Sequence, residues 1–202
     1  MTHPKEMAKQ VLDRIGWTPG KRGPVPLRMA FDEYRVNHVT LPNLSLATIA
    51  QHLLQEGYVQ NMASVEDMLE DSKPLFGLCF RMGTSALAFI HENDILPRRR
   101  FTAAHELGHA LMHQLHMERY LPDDQDTLQD HEDPTIGIEK EANQFAAELL
   151  MPEQLIHARA EAMQSEYHIC PRLVLGYQLS SELLVSRKAI RYRLLSLGVG
   201  HD

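Results

Sequence analysis

The pentapeptide His105-Glu106-Leu107-Gly108-His109 places two imidazoles four residues apart, with a carboxylate directly after the first. On an α-helix, positions i and i+4 project from one face, so both rings can bind a single Zn²⁺ ion. Glu106 then points into the cleft where water on that ion would sit. The chemistry such a set supports is hydrolysis. Zinc lowers the pKa of water from about 16 to about 7, and Glu106 takes the proton as the water attacks a peptide carbonyl, then returns one to the leaving amine. A donor for the developing oxyanion is also required; Tyr120, Tyr167, His168 and Tyr177 are all available, although each taken singly reads first as structural.

Catalytic zinc sites use three protein ligands, so a third must follow downstream. The metzincin pattern is excluded, because Met112 occupies its glycine position and Leu115 its final histidine position. The segment Ile138 to Pro152 reads as a second helix ended by its proline, and it contains Glu139, Glu141 and Glu148. Helical periodicity puts Glu139, Asn143, Ala146, Ala147 and Leu150 on one stripe, whose small residues allow close approach to the first helix. Glu139 is therefore the expected third ligand, and Asn143, one turn on, can hydrogen-bond a ligating histidine. Glu141 falls on another face, and Glu148 reads as a solvated residue. His113, His116 and His131 are fallback ligands. The alternative is that Glu139 and Asn143 decorate an exposed face.

Phe101 to His113 follows the pattern F-T-x-A-H-E-x-G-H-x-x-x-H, and Glu139 to Pro152 follows E-x-E-A-N-x-F-A-x-x-L-L-M-P. With both halves present, the centre of the chain resembles the ImmA/IrrE metallopeptidases. That resemblance implies one bound zinc ion held by His105, His109 and Glu139, with Glu106 as general base. It implies a gluzincin-like architecture with Asn143 where many gluzincins carry aspartate. It further implies a protein substrate, a helix-turn-helix repressor whose cleavage switches on stress-response, mobile-element or defence genes after a signal such as DNA damage.

The elements that must position these residues form an α+β, zincin-like core: a small antiparallel sheet packed on the active-site helix and on a second, ligand-bearing helix. Thr102 can cap the first of these helices, and Ala104, Leu107, Leu111 and Leu115 supply its buried stripe. Leu75 to Met82 and Ser85 to Ile90 flank Gly83-Thr84 as a β-hairpin. Upstream, Lys5 to Ile15 reads as an amphipathic helix. A second helix is capped by Ser45, buries Leu46, Ile49, Ala50, Leu53 and Leu54, and ends at Gly57. Between the two ligand-bearing helices, Glu118 to Pro134 is acidic and reads as a loop, either a substrate-contacting segment or a solvated insertion. The chain divides into an N-terminal helical region (1–60), the catalytic core (61–152) and a C-terminal helical region (153–202), expected to form one compact unit.

Leu179 to Gly198 resembles a helix-turn-helix with Ser186 capping its second helix, which carries Arg187, Lys188, Arg191 and Arg193. This basic patch, on a chain of net charge -7, makes nucleic acid, including single-stranded DNA acting as a trigger, a candidate partner. A helical hairpin packed on the core gives the same apolar pattern, and Arg98-Arg99-Arg100 is open to the same two readings. Of 202 residues, 44% are hydrophobic, enough for a compact core. The N-terminus lacks an apolar signal region and no run is long enough to span a membrane, so the cytoplasm is the expected compartment. Cys79 and Cys170 are too few for a disulfide framework. Cys79, in a strand beside the cleft, is a candidate inhibitory zinc ligand as well as a candidate buried free thiol. Two rival readings are a non-enzymatic DNA-binding regulator with a structural or vestigial metal site and a hydrolase of small peptides. An intact Glu106 argues against the first, since a structural site needs no base beside an open metal position.

Overall fold

A three-stranded sheet separates two apolar clusters, and the alternation of side chains along its strands assigns residues to each. The computed structural model describes residues 3–82, 85–113 and 134–201, with the backbone alone for residues 134–136. Strand β2 (Gly77–Met82) and strand β3 (Ser85–His91) pair antiparallel, with Cys79 opposite Ala88 and Phe80 opposite Leu87. Successive strand residues face opposite sides. Leu78, Phe80, Leu87 and Phe89 accordingly enter one cluster, with helices α3 (Leu46–Gln55) and α4 (Glu66–Glu70). Cys79, Ala86, Ala88 and Ile90 enter the other, with helix α5 (Leu96–Met112), which carries His105 and His109.

The third strand, β1 (Val36–Leu41), lies inside the segment expected to be helical, and it runs parallel to β3. The sheet is therefore mixed, in the order β1-β3-β2, rather than purely antiparallel. Parallel pairing needs a long crossover, and α3, α4 and β2 provide it. Helix α3 has the expected cap: Ser45 Oγ accepts from the Thr48 backbone N–H, and Thr48 Oγ1 accepts in return from the Ser45 N–H. Gly57 follows at φ +73, a conformation that suits glycine at a helix end.

Helix α5 begins six residues before the expected cap. Pro97 lies in its first turn, where a missing N–H costs no hydrogen bond, so Thr102 is a buried interior residue rather than a cap. Each arginine of the run before the histidines has an intramolecular partner. Arg98 pairs with Asp94 and lies over the Phe76 ring, Arg99 donates to the Glu92 carbonyl, and Arg100 donates to the Val25 carbonyl.

Helix α6 (Pro134–Leu150) packs against α5 and also against α1 (Pro4–Arg14), while α2 (Leu27–Glu33) packs on β1. The close approach of α5 and α6 depends on Gly108: a Cβ there would lie 2.8 Å from Cδ1 of Phe145. After Pro152 the chain continues as α7 (Glu153–Tyr167), α8 (Arg172–Leu183) and α9 (Arg187–Ser196). The α8–α9 hairpin has the expected Ser186 cap on the Ala189 N–H, although its first helix starts at Arg172 rather than Leu179. Leu175, Leu179, Leu183, Ile190 and Leu194 join the same apolar cluster as α1 and α5, so the C-terminal helices share one interior with them.

Glu148 is not solvated. Its carboxylate receives both Nη groups of Arg193 at 2.8 and 2.6 Å, and both side chains are almost fully buried. Arg193, expected among the basic residues facing a nucleic acid, is instead committed to α6, where its Nε also donates to the Met151 carbonyl. Arg187, Lys188 and Arg191 are exposed. Among the described residues, no helix is long and apolar enough to cross a membrane.

Candidate metal centre

Helix α5 buries its middle turns against the sheet and α6, and His105, Glu106 and His109 are all nearly inaccessible there. Such burial of polar side chains is costly unless each is engaged. From α6, Glu139 brings its two carboxylate oxygens to 3.0 Å from His105 Nε2 and 3.1 Å from His109 Nε2. The two Nε2 atoms lie 2.9 Å apart. Tetrahedral zinc with bonds of about 2.0–2.1 Å has ligand atoms about 3.3 Å from one another, so this triangle is close to the face of such a tetrahedron. His105, His109 and Glu139 form the one group among the described residues with the donor atoms to hold a metal ion.

Hydrogen bonds on the far side of each ring fix which nitrogen carries the proton. Asn143 Oδ1, which can only accept, lies 3.1 Å from His105 Nδ1. His109 Nδ1 lies 2.9 Å from His113 Nδ1, and His113 Nε2 lies 3.1 Å from Glu141 Oε2. Glu141 accepts the Nε2–H of His113, which leaves His113 Nδ1 as the acceptor for the Nδ1–H of His109. Both ligating rings therefore turn an Nε2 lone pair toward Glu139. Two imidazole lone pairs and a carboxylate converging within about 3 Å are a donor set for a cation, and the residues fit a divalent metal.

The electrostatics agree with that reading. Burial pushes the Glu139 carboxyl up, but the imidazoles of His105 and His109 beside it outweigh burial and hold the group at about 2. Burial lowers the pKa of His109, and the neighbouring His105 and His113 lower it further against the opposing influence of Glu139. Near neutrality the site offers a carboxylate and neutral imidazole, the protonation state that metal binding needs.

Glu106 is pressed against the start of β2. A Cβ on Gly77 would lie 2.5 Å from Glu106 Oε1 and would collide with Thr102 Cγ2, so only glycine lets strand and carboxylate come this close. Among the described residues β2 is hydrogen-bonded on one side only, which leaves an edge strand beside Glu106.

Of the residues singled out by sequence, the structure brings together His105, His109, Glu139 and Asn143, with Glu106 beside the same turn of α5. Cys79 stands apart from the metal-competent group. It is buried in the cluster between sheet and helix, and burial, reinforced by the Glu106 charge, pushes its thiol well above the usual range. His113, a fallback ligand by sequence, lies outside that group, with its Nδ1 against His109 Nδ1. Glu141, set aside because it lies off the Glu139 stripe, completes that contact from α6; the signal for the pair was the third histidine at i+4 from His109. Tyr167 and Tyr177 are exposed, and Tyr177 lies against Arg187 in the α8–α9 hairpin. His168 ends α7 in the left-handed conformation. Tyr120, His116, His131 and nearly all of the acidic stretch 118–134 lie outside the described residues.

Residues 75–195 match the family model for the M78 peptidases, described as the IrrE N-terminal-like domain. The match takes in the α5 and α6 motifs, β2, β3 and most of the C-terminal helices. No curated protein matches the chain.

Proposed function

The chain belongs to the M78 peptidase family, and from that premise we propose that it is a zinc-dependent endopeptidase that cleaves a helix-turn-helix repressor protein in the cytoplasm. The observation that carries this reading is the convergence of His105 Nε2, His109 Nε2 and the Glu139 carboxylate beside Glu106. His105, His109 and Glu139 hold the ion, and Asn143 holds the His105 ring. When bound, zinc supplies Lewis acidity that polarises a peptide carbonyl and lowers the pKa of water to about 7. Glu106 accepts a proton from the attacking water and hands one to the departing amine. Glu106 is buried, and its carboxylate is held against Gly77 at the start of β2.

Cleaving a repressor derepresses the genes it controls, in stress response, mobile-element transfer or defence. Arg187, Lys188 and Arg191, exposed around Tyr177 and Tyr192, form a basic and aromatic surface suited to a single-stranded DNA trigger released by DNA damage.

The decisive experiment incubates repressors encoded by neighbouring genes with the zinc-loaded chain and with Glu106→Gln. Cleavage by the first and not the second supports the proposal. Specific double-stranded DNA binding without proteolysis would instead identify a non-enzymatic regulator, and cleavage restricted to short peptides would identify a small-peptide hydrolase. Short single-stranded DNA that neither binds nor changes repressor cleavage would remove the trigger.

A further inference from the structure

We propose that His113 and Glu141 are positioning residues that act through His109 to set the affinity and geometry of the metal site; the proposal rests on the metallopeptidase reading above. The two ligating rings are supported differently. His105 is backed by the side-chain amide of Asn143, on an exposed stretch of α6. His109 is backed by a second imidazole, itself held by a carboxylate: Glu141 Oε2 to His113 Nε2 at 3.1 Å, then His113 Nδ1 to His109 Nδ1 at 2.9 Å.

An imidazole can accept at one nitrogen only when its other nitrogen holds the proton. Glu141 keeps that proton on His113 Nε2, and so makes His113 Nδ1 an acceptor. His109 must then place its own proton on Nδ1 and present Nε2 to the ion. The side chain of His113 is only 2% exposed, so bulk water is poorly placed to replace it as an acceptor. Without that acceptor, the Nδ1–H of the buried His109 loses its partner, and the ring can regain one only by turning away from Glu139.

His113 ends α5, while Glu141 follows the ligand Glu139 by two residues on α6. The two helices are thus joined twice, once through the metal ligands and once through this pair. Helix α6 supplies a carboxylate to each junction, and misplacing α6 loosens both.

The test measures Zn²⁺ affinity by competition with a chromophoric chelator, and the visible spectrum of the Co²⁺ form, in the full chain. His113→Leu removes the acceptor and is expected to weaken zinc roughly 10- to 100-fold and to alter the cobalt bands. His113→Asn keeps an acceptor near the Nδ1 position and is expected to retain both properties. Glu141→Ala is expected to weaken zinc in the parent chain and to add nothing in the His113→Leu background, because the two residues act as a unit. Parent-like zinc binding by His113→Leu overturns the proposal. So does equal loss in His113→Asn and His113→Leu, or full additivity with Glu141→Ala, each of which marks a packing role. Failure of the parent chain to bind zinc would instead overturn the metallopeptidase reading itself.

Discussion

Glu148 and Arg193 face each other across the α6–α9 contact as a two-pronged ion pair, 2.8 and 2.6 Å between their atoms, with only 10% and 11% of the side chains exposed. Removing one partner strands a charge in a site with little water. Arg193→Ala is expected to destabilise the chain by about 3 kcal/mol, read from urea unfolding. Replacing both residues by apolar side chains of similar volume is expected to recover most of that loss. Equal losses in the single and the double variant would show that the pair is not what joins the two helices.

Glu106→Gln keeps the shape of the side chain and removes the base. Repressor cleavage is expected to fall about 100- to 10,000-fold while zinc content stays at one ion per chain. Elemental analysis alongside the cleavage assay separates this from loss of metal, which would point to Glu106 as a ligand instead.

Binding of an ion to the folded state alone raises stability. At a free zinc concentration of about 100 times the dissociation constant the gain is about 2.7 kcal/mol, seen as a higher thermal midpoint that a chelator reverses. Glu139→Ala is expected to abolish this shift. A midpoint indifferent to zinc in the parent chain would remove the metal from the account.

Gly108→Ala places a methyl group 2.8 Å from Phe145 Cδ1, across the α5–α6 contact. Overpacking here is expected to cost about 1–3 kcal/mol and to loosen zinc binding, because the two helices carry different ligands. Gly77→Ala pushes instead on Thr102 and Glu106. It is expected to lower cleavage more than zinc affinity, and the reverse pattern would show that Gly77 does not position the base.

Cys79 is buried between sheet and helix, and its thiol is pushed well above the usual range by burial and by the nearby Glu106 charge. In the folded chain it is expected to resist alkylation at pH 8, and Cys79→Ser is expected to leave zinc content and cleavage unchanged. Rapid labelling, or a rise in activity in the serine variant, would restore the thiol as an inhibitory ligand.

The grouping of the candidate metal-binding residues was legible because they sit on helices, where a period of 3.6 residues converts spacing into direction. His105, His109, Glu139 and Asn143 were all found that way. Glu141 and His113 were not placed, since their contact joins two elements across α5's last residue, which the period of neither helix describes. Strand β1 was missed for a related reason. Asn37, His38 and Thr40 interrupt its apolar residues, the strand is an edge, and its partner lies far along the chain. The Glu148–Arg193 pair was hidden because a glutamate on a helix is ordinarily solvated, and nothing local to α6 indicates a partner on α9. The start of α5 was misplaced because Thr102 is a good cap by type, whereas Pro97, tolerated in a first turn, marks the true beginning.

Helix α1 packs on α6, and Lys5 pairs with Glu153 beyond it, so α1 leans on a segment that is synthesised well after it. Contacts so distant in sequence form slowly. During synthesis the first two imidazole ligands are exposed well before Glu139 exists to join them. The three donor groups can therefore converge only once α6 has been made and has packed on α5.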